Sequence, residues 1–222
     1  MLIVLSKIKI LCKDPLIIES SNLIITLKRG VIKVECKVHN CFINLLPFPI
    51  IGVSVGSNLR LLKREDYIVT MRALSISDEL STNLYLTVCG DSLVLTSEVR
   101  PVKSLIPINL IMPYVKISLD DTWQVKLSSM SSRIHELEEV TPLMNANILQ
   151  LMNNDCTFSI FAGRCTLVWR DKCAIIYPKI YIKQLNSSYT IGLCYSNIPP
   201  NFKAQSSIAI CHESVNSENL AR

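Results

Sequence analysis

Residues 31–38 read Val-Ile-Lys-Val-Glu-Cys-Lys-Val, with Ile32, Val34, Cys36 and Val38 alternating with Lys33, Glu35 and Lys37. A two-residue period gives a strand with one dry face and one wet face. It is incompatible with a helix, whose apolar side chains recur every three to four positions. Leu23 to Leu27 stands just before it, across Lys28, Arg29 and Gly30, and Gly30 can take the positive φ of a tight turn. The two runs predict a half-buried hairpin with Lys28 and Arg29 at its tip.

The same rhythm continues. Strands are expected at Tyr67 to Leu74, then at Leu84 to Val88 and Leu93 to Ser97 around a turn at Cys89, Gly90, Asp91 and Ser92. Tyr114 to Leu119 and Trp123 to Leu127 predict a third hairpin turning at Asp120 and Asp121. Cys41 to Val55 is apolar but broken by Pro47, Pro49 and Gly52, which limits it to short edge strands or a crossing loop. Helix is expected once, in an insert over 131–153. There Ser132 and Thr141-Pro142 read as N-caps, and Met144, Ile148, Leu151 and Met152 fall at helical spacing.

A second β block follows: Thr157 to Ala162, Cys165 to Arg170, Cys173 to Tyr177, Lys179 to Leu185 and Tyr189 to Tyr195. It reads as a meander, with Ser206 to Cys211 as a last edge strand. The fold class is therefore mainly β, with antiparallel hairpins and a meander in a sandwich-like arrangement carrying one helical insert. Residues 1–211 are read as a single domain made of blocks 22–128 and 156–211, and 212–222 as a polar tail. At 222 residues and 49% apolar content the chain can bury a core without covalent staples.

Nine cysteines, an odd number without regular spacing, are read as reduced thiols. Met1 to Leu11 holds too short an apolar run for a secretory leader. Leu45 to Val55, with two prolines, is too short for a transmembrane helix. The protein is expected to be neither secreted nor membrane-spanning.

No constellation amounts to an enzyme signature. Cys36, His39, Cys41, Cys211 and His212 are zinc-type ligands by chemistry, but structural zinc draws on two compact pairs, and Cys36 is placed inward on a strand, so no metal site is expected. Cys211 and His212 should face opposite sides of a strand, which separates thiol from base. Gly90-Asp91-Ser92 reads as a hairpin tip rather than a nucleophile elbow. Asp120 with Asp121, and Glu136 with Glu138 and Glu139, read as solvated carboxylates. No phosphate loop is present, and no cofactor or small-molecule substrate is expected. Tyr177, Tyr181, Tyr189 and Tyr195 are candidates to stack bases.

Charge is uneven. Residues 1–75 hold eleven Lys/Arg against five Asp/Glu, an excess of six, while the rest of the chain is close to neutral. A one-sided positive field favours phosphate-bearing partners, either anionic lipid or nucleic acid.

Pro199-Pro200-Asn201-Phe202 resembles the Pro-Pro-x-Tyr peptide through which viral matrix proteins recruit WW domains, with Phe202 where that motif has tyrosine. In size, N-terminal basicity, β content and reduced cysteines the chain resembles the rhabdovirus-type matrix proteins of negative-strand RNA viruses. The resemblance implies a non-enzymatic virion structural protein in the host cytoplasm and on the inner face of its membrane. Such a protein self-associates and binds anionic membrane and nucleocapsid. Lys7, Lys9, Lys28, Arg29, Arg60, Lys63 and Arg64 would meet lipid phosphate, and the Leu45 to Ile51 loop would enter the interface. The alternative is a nucleic-acid-binding viral accessory or movement-type protein using the same basic residues.

Overall fold

The computed structural model describes residues 8–214, except 14, 29–30, 40, 47–59, 65–67, 77–79, 102–107, 119–122, 128–129, 134–147, 154–155, 186–187 and 201. In chain order the strands are β1 (Lys9–Lys13), β2 (Leu16–Glu19), β3 (Leu23–Lys28), β4 (Val31–Cys36), β5 (Phe42–Leu46) and β6 (Arg60–Arg64). There follow β7 (Ile68–Ile76), β8 (Leu80–Cys89), β9 (Ser92–Pro101), β10 (Ile108–Ser118), β11 (Gln124–Leu127) and β12 (Met130–Arg133). The remaining strands are β13 (Ile148–Asn153), β14 (Cys156–Ala162), β15 (Cys165–Trp169), β16 (Lys172–Ile176), β17 (Lys179–Leu185), β18 (Ser188–Ile198) and β19 (Lys203–Ser214).

They form two antiparallel sheets. One has the order β1-β2-β3-β4-β5-β10-β18-β17, the other β12-β11-β13-β14-β19-β9-β8-β7-β6, with the β15–β16 hairpin attached through β15 to β19. Among the described residues there is no helix, and none therefore that is long and apolar enough to cross a membrane.

The period-two pattern is what builds the core. Leu23, Ile25, Ile32, Val34, Ile43 and Leu45 point inward from the first sheet. Leu84, Leu86, Val88, Leu93, Leu95, Phe158, Ile160, Ile208 and Ile210 answer from the second. All are at most 2% exposed, and each such side chain contributes about 1.5–3 kcal/mol relative to exposure. A smaller core of Val99, Cys165, Leu167, Tyr195, Ile198 and Ala204 lies beneath the β15–β16 hairpin.

Several ties between described residues join the sheets, two of them near the β2–β3 turn and β5. The Asp91 carboxylate, in the β8–β9 turn, accepts hydrogen bonds from Ser20 Oγ (2.7 Å), the Asn22 backbone N–H (3.0 Å) and Asn22 Nδ2 (2.8 Å) in the β2–β3 turn. Gly90, with φ of 55°, makes that turn possible. The second tie is a disulfide between Cys41, at the entry to β5, and Cys156, the first residue of β14.

Several expectations are corrected. The nine cysteines are not all thiols, because the Cys41–Cys156 pair is oxidised. An odd count with a 115-residue separation carries no sequence signal for that pairing. The helical insert gives way to strand at Met130–Arg133 and Ile148–Asn153, and residues 134–147 lie outside the described residues. Leu149 and Leu151 are buried while Ile148, Gln150 and Met152 are only partly so, which is a strand period. The third hairpin does not form. β10 pairs β5 and β18 in one sheet and β11 pairs β12 and β13 in the other, so the chain changes sheet between them. Pro113, which cannot donate to a ladder, falls where the β10–β18 register shifts between Ile111 and Tyr114.

The meander is also redistributed: β14 and β15 both pair β19, and β17 joins the other sheet. β19 is not an edge strand. It lies between β14 and β9 and continues through His212 to Ser214, into what the sequence suggests is tail. Leu45 is not part of an exposed loop either. It is fully buried on β5, whose neighbours are β4 and β10.

Gly163, in the β14–β15 connection, shows how closely the chain passes β19 there. Its N–H donates to the Ser207 carbonyl at 2.8 Å, and an added Cβ would stand 2.8 Å from that same oxygen. The expected result for Gly163→Ala is a loss of about 1–3 kcal/mol in chemical denaturation, since backbone must shift to admit the methyl. An unchanged midpoint would show that this junction yields freely.

Candidate functional site

The β15–β16 hairpin turns through Arg170 and Asp171, with Arg170 in the left-handed region at φ 51°. Pairing of Val168 with Lys203 sets the end of β15 beside the start of β19. Trp169 and Phe202 thereby meet with ring centroids 5.9 Å apart. Arg170 and Lys172 lie 5.1 and 5.9 Å from the Trp169 ring, and Arg164 lies 5.4 Å from the ring of Tyr177. Tyr177 is 56% exposed and Ile175 51%, and all five residues of β16 have at least partial exposure. Beyond β16 no further strand pairs among the described residues.

The floor of this platform stays uncharged. Burial pushes the Cys165 thiol up to about 11, opposed only in part by a hydrogen bond from the Gln205 backbone. Burial also raises the Tyr195 phenol, with the adjacent Cys165 adding to the effect, and its hydroxyl donates to the Gly163 carbonyl at 3.0 Å. The charge on this hairpin therefore comes from its surface side chains, Arg164, Arg170 and Lys172, with the exposed Asp171 in the turn offsetting one of the three. Cations held over aromatic faces beside a partly apolar surface suit a ligand with both anionic groups and flat apolar faces.

A second cluster lies between the sheets. The ligand atoms of Cys36, Cys41 and His212 are all within 4.8 Å of one another, and Cys156 is bonded to Cys41. His39 is exposed in the β4–β5 connection, and Cys211 turns away toward Ser92 Oγ at 3.3 Å. Of the thiol and imidazole groups singled out in the sequence, three converge and two do not. Cys156 could not have been anticipated, because only the packing of one sheet on the other brings it there.

The basic residues are spread over two sheet edges and a turn. Lys9 is exposed on edge strand β1 beside Leu11, which is 56% exposed, and Lys28 is exposed at the end of β3. Arg60, Lys63 and Arg64 lie on β6, the opposite sheet's edge strand, with Arg60 across from Arg72. Lys7 and Arg29 lie outside the described residues, as do Asp120, Asp121, Glu136, Glu138 and Glu139.

Pro199 and Pro200 are half-buried in a turn closed by the Phe202 N–H on the Pro199 carbonyl at 3.1 Å, and Phe202 packs on the smaller core. Tyr189 and Tyr195 are core residues at 2% and 1% exposure, so their rings are not available for stacking. Trp169 and Phe202, absent from the sequence-level aromatic set, are the residues that join Tyr177 in this region. The two are more than thirty residues apart, and only the β15–β19 pairing relates them.

No protein-family model and no curated protein matches the sequence. Solved structures do resemble the fold. A family 36 α-galactosidase from Geobacillus stearothermophilus aligns at a TM-score of 0.52 and 9% identity, over 89% of this chain and 40% of the enzyme. A variant of that enzyme in complex with stachyose aligns at 0.51 and 8% identity, over 88% and 40%. A galactose mutarotase related enzyme from Lactobacillus acidophilus reaches 0.49 and 9% identity, over 89% of this chain and 97% of that one. This chain thus spans well under half of the α-galactosidase, and what it shares with that enzyme is the fold, a large antiparallel two-sheet arrangement contained in a glycosidase.

Proposed function

We propose that this protein is a non-enzymatic binding domain that holds an acidic carbohydrate chain on the platform of Trp169, Tyr177, Arg164, Arg170 and Lys172. The observation that carries this reading is two cation–aromatic groups on one hairpin, Arg170 and Lys172 over Trp169 at its tip and Arg164 over the exposed Tyr177 at its base. Sugar rings offer flat C–H faces to aromatic side chains, and carboxylate or sulfate groups suit the guanidinium fork. The fold supports a carbohydrate partner, since the α-galactosidase that shares it is described in complexes with raffinose and stachyose.

The non-enzymatic part rests on the carboxylates. Glycoside hydrolysis ordinarily needs two carboxyl groups flanking the scissile bond. Among the described residues, Glu19 pairs with Lys37, Glu35 with Lys33 and Glu98 with Lys203, while Asp91 clasps the β2–β3 turn. Those four hold structure together; the other described acids are Asp171, exposed in the β15–β16 turn, and Glu213 on β19.

A second reading is favoured by Lys9 and Leu11 on β1, a cation and an exposed leucine on one sheet edge. It is the matrix-type role, in which the basic edges bind anionic membrane or nucleocapsid and the protein self-associates.

Fluorescence-polarisation titration separates the two, using a labelled heparin oligosaccharide and single-stranded RNA at matched ionic strength, alongside co-sedimentation with phosphatidylserine vesicles. The expected result is preferential heparin binding that falls about tenfold, or 1.4 kcal/mol, in Arg164→Ala/Arg170→Ala. Unchanged heparin binding in that variant, with vesicle association lost in Lys9→Ala/Lys28→Ala, would instead establish the membrane reading.

A further inference from the structure

We propose that Cys36, Cys41, Cys156 and His212 form a tetrahedral zinc-class metal site that opens when the Cys41–Cys156 disulfide is reduced. This proposal is independent of what the platform binds.

The donor set comes from three strand positions and the entry to a fourth strand, in both sheets. Cys36 ends β4 and Cys41 precedes β5, and the Cys36 N–H donates to the Cys41 carbonyl at 2.8 Å. The pair is thus a C-x4-C knuckle closed by its own backbone, of the ligand spacing that structural zinc uses. Cys156 begins β14 opposite Ser214, and His212 stands opposite Phe158 on the same ladder. Two residues apart on one strand share a face, so His212 lies on the Cys156 side of β14 and β19.

Distances agree with a shared ion. Zinc–thiolate bonds of about 2.3 Å at tetrahedral angles put ligand atoms about 3.3–3.8 Å apart. The Cys36, Cys41 and His212 donor atoms already lie within 4.8 Å of one another. Cys156 is necessarily in the same cluster through its bond to Cys41, and the Cα atoms of that pair stand 7.0 Å apart. That is beyond the usual disulfide range of about 4.4–6.8 Å, and two thiolates with an ion between them span it readily.

The setting suits a structural site. Cys36 is buried, while Cys41 and His212 are partly exposed, which leaves an approach for the ion. Phe158 packs edge-on against the His212 ring with centroids 5.4 Å apart, orienting the imidazole.

The chemistry balances with a named reductant. A dithiol or a phosphine supplies two electrons to the sulfur–sulfur bond, which breaks, and solvent or the dithiol supplies two protons to give the Cys41 and Cys156 thiols. The dithiol becomes its own cyclic disulfide, or the phosphine becomes its oxide by taking oxygen from water. A divalent zinc ion then displaces three thiol protons, from Cys36, Cys41 and Cys156, and accepts the lone pair of one His212 nitrogen. In the oxidised protein only the Cys36 thiol and the imidazole remain as donors, too few for a closed site. Redox state therefore selects between two inter-sheet clips, one covalent and one metallic.

The test uses the full chain, reduced anaerobically with a phosphine and titrated with cobalt(II), then zinc(II). One equivalent of cobalt should bind with the intense visible d–d bands of tetrahedral coordination and near-ultraviolet charge transfer of three thiolates, and zinc should displace it. Oxidised protein should take up less than a tenth of an equivalent. Cys36→Ser should weaken binding at least tenfold, and Cys173→Ser, an exposed thiol remote from the cluster, should leave it unchanged. His212→Gln gives a second variant if Cys36→Ser does not fold. If the reduced wild-type chain melts without metal, recovery of its circular dichroism by one zinc equivalent reports the same event. No stoichiometric uptake by the reduced wild-type chain, octahedral cobalt spectra, or equal losses in the Cys36→Ser and Cys173→Ser proteins would overturn the site.

Discussion

Cys41→Ala/Cys156→Ala, unfolded in urea under metal-free conditions, should lose about 3–5 kcal/mol relative to the oxidised wild type. The crosslink closes a loop with a sequence separation of 115 residues. Loop-closure entropy for such a loop amounts to about 4.7 kcal/mol, and measured losses tend to run somewhat below that figure. With an m-value of about 2–3 kcal/mol/M for a chain of this size, the midpoint should fall by about 1–2.5 M. Replacing both cysteines matters, since a single change would leave a buried thiol at Cys156 and confuse entropy with packing. Equal midpoints for the two proteins would mean that the sheets are held in register without the crosslink. The same comparison under reducing conditions with added zinc gives the metallic clip its own stability reading.

Asp91→Ala should be the most damaging of the polar substitutions, at about 2–3 kcal/mol. Its carboxylate accepts three hydrogen bonds from the β2–β3 turn. Bonds to a charged acceptor are worth about 1.5–3 kcal/mol where they are buried and less where solvent reaches them. Ser20 is 4% exposed and retains its bonds with the Leu23 backbone, which limits the loss. In a domain of this length the melting temperature should drop by about 4–12 °C. Asp171→Ala, at the exposed tip of the β15–β16 hairpin, should move it by no more than about 2 °C. Equal effects at the two turns would show that the clasp contributes nothing beyond an ordinary turn aspartate.

How much of this was legible beforehand follows from the range of each interaction. The β3–β4 and β8–β9 hairpins are local, and alternation with a turn residue at Gly90 is enough to place them. Ile148, Leu151 and Met152 satisfy a helical spacing, while Leu149 and Leu151 satisfy a strand spacing in the same short window. Pairing with β11 and β14 decides the matter, and neither partner is visible from the segment itself. The Asp120-Asp121 turn signal is real chemistry, but turn residues do not say whether the next strand returns to the same sheet. Both candidate sites are non-local by construction. Trp169 meets Phe202 through the β15–β19 pairing, and Cys156 meets Cys41 through face-to-face packing, so composition and spacing hold no trace of either. The inward placement of Cys36 was readable, yet it argued for an ordinary core residue because the histidine beside it arrives from β19.

The position of β19 bears on how the chain can reach this state at all. It follows every other described strand, yet it is the one that joins β14 to β9. During vectorial synthesis the larger sheet must wait as two unjoined halves, with β9 and β14 each offering an open row of amides and carbonyls until β19 emerges. Folding should then be governed by capture of a late strand between two preformed edges, a slow, high-contact-order event during which any competing strand from a second molecule has the same opening.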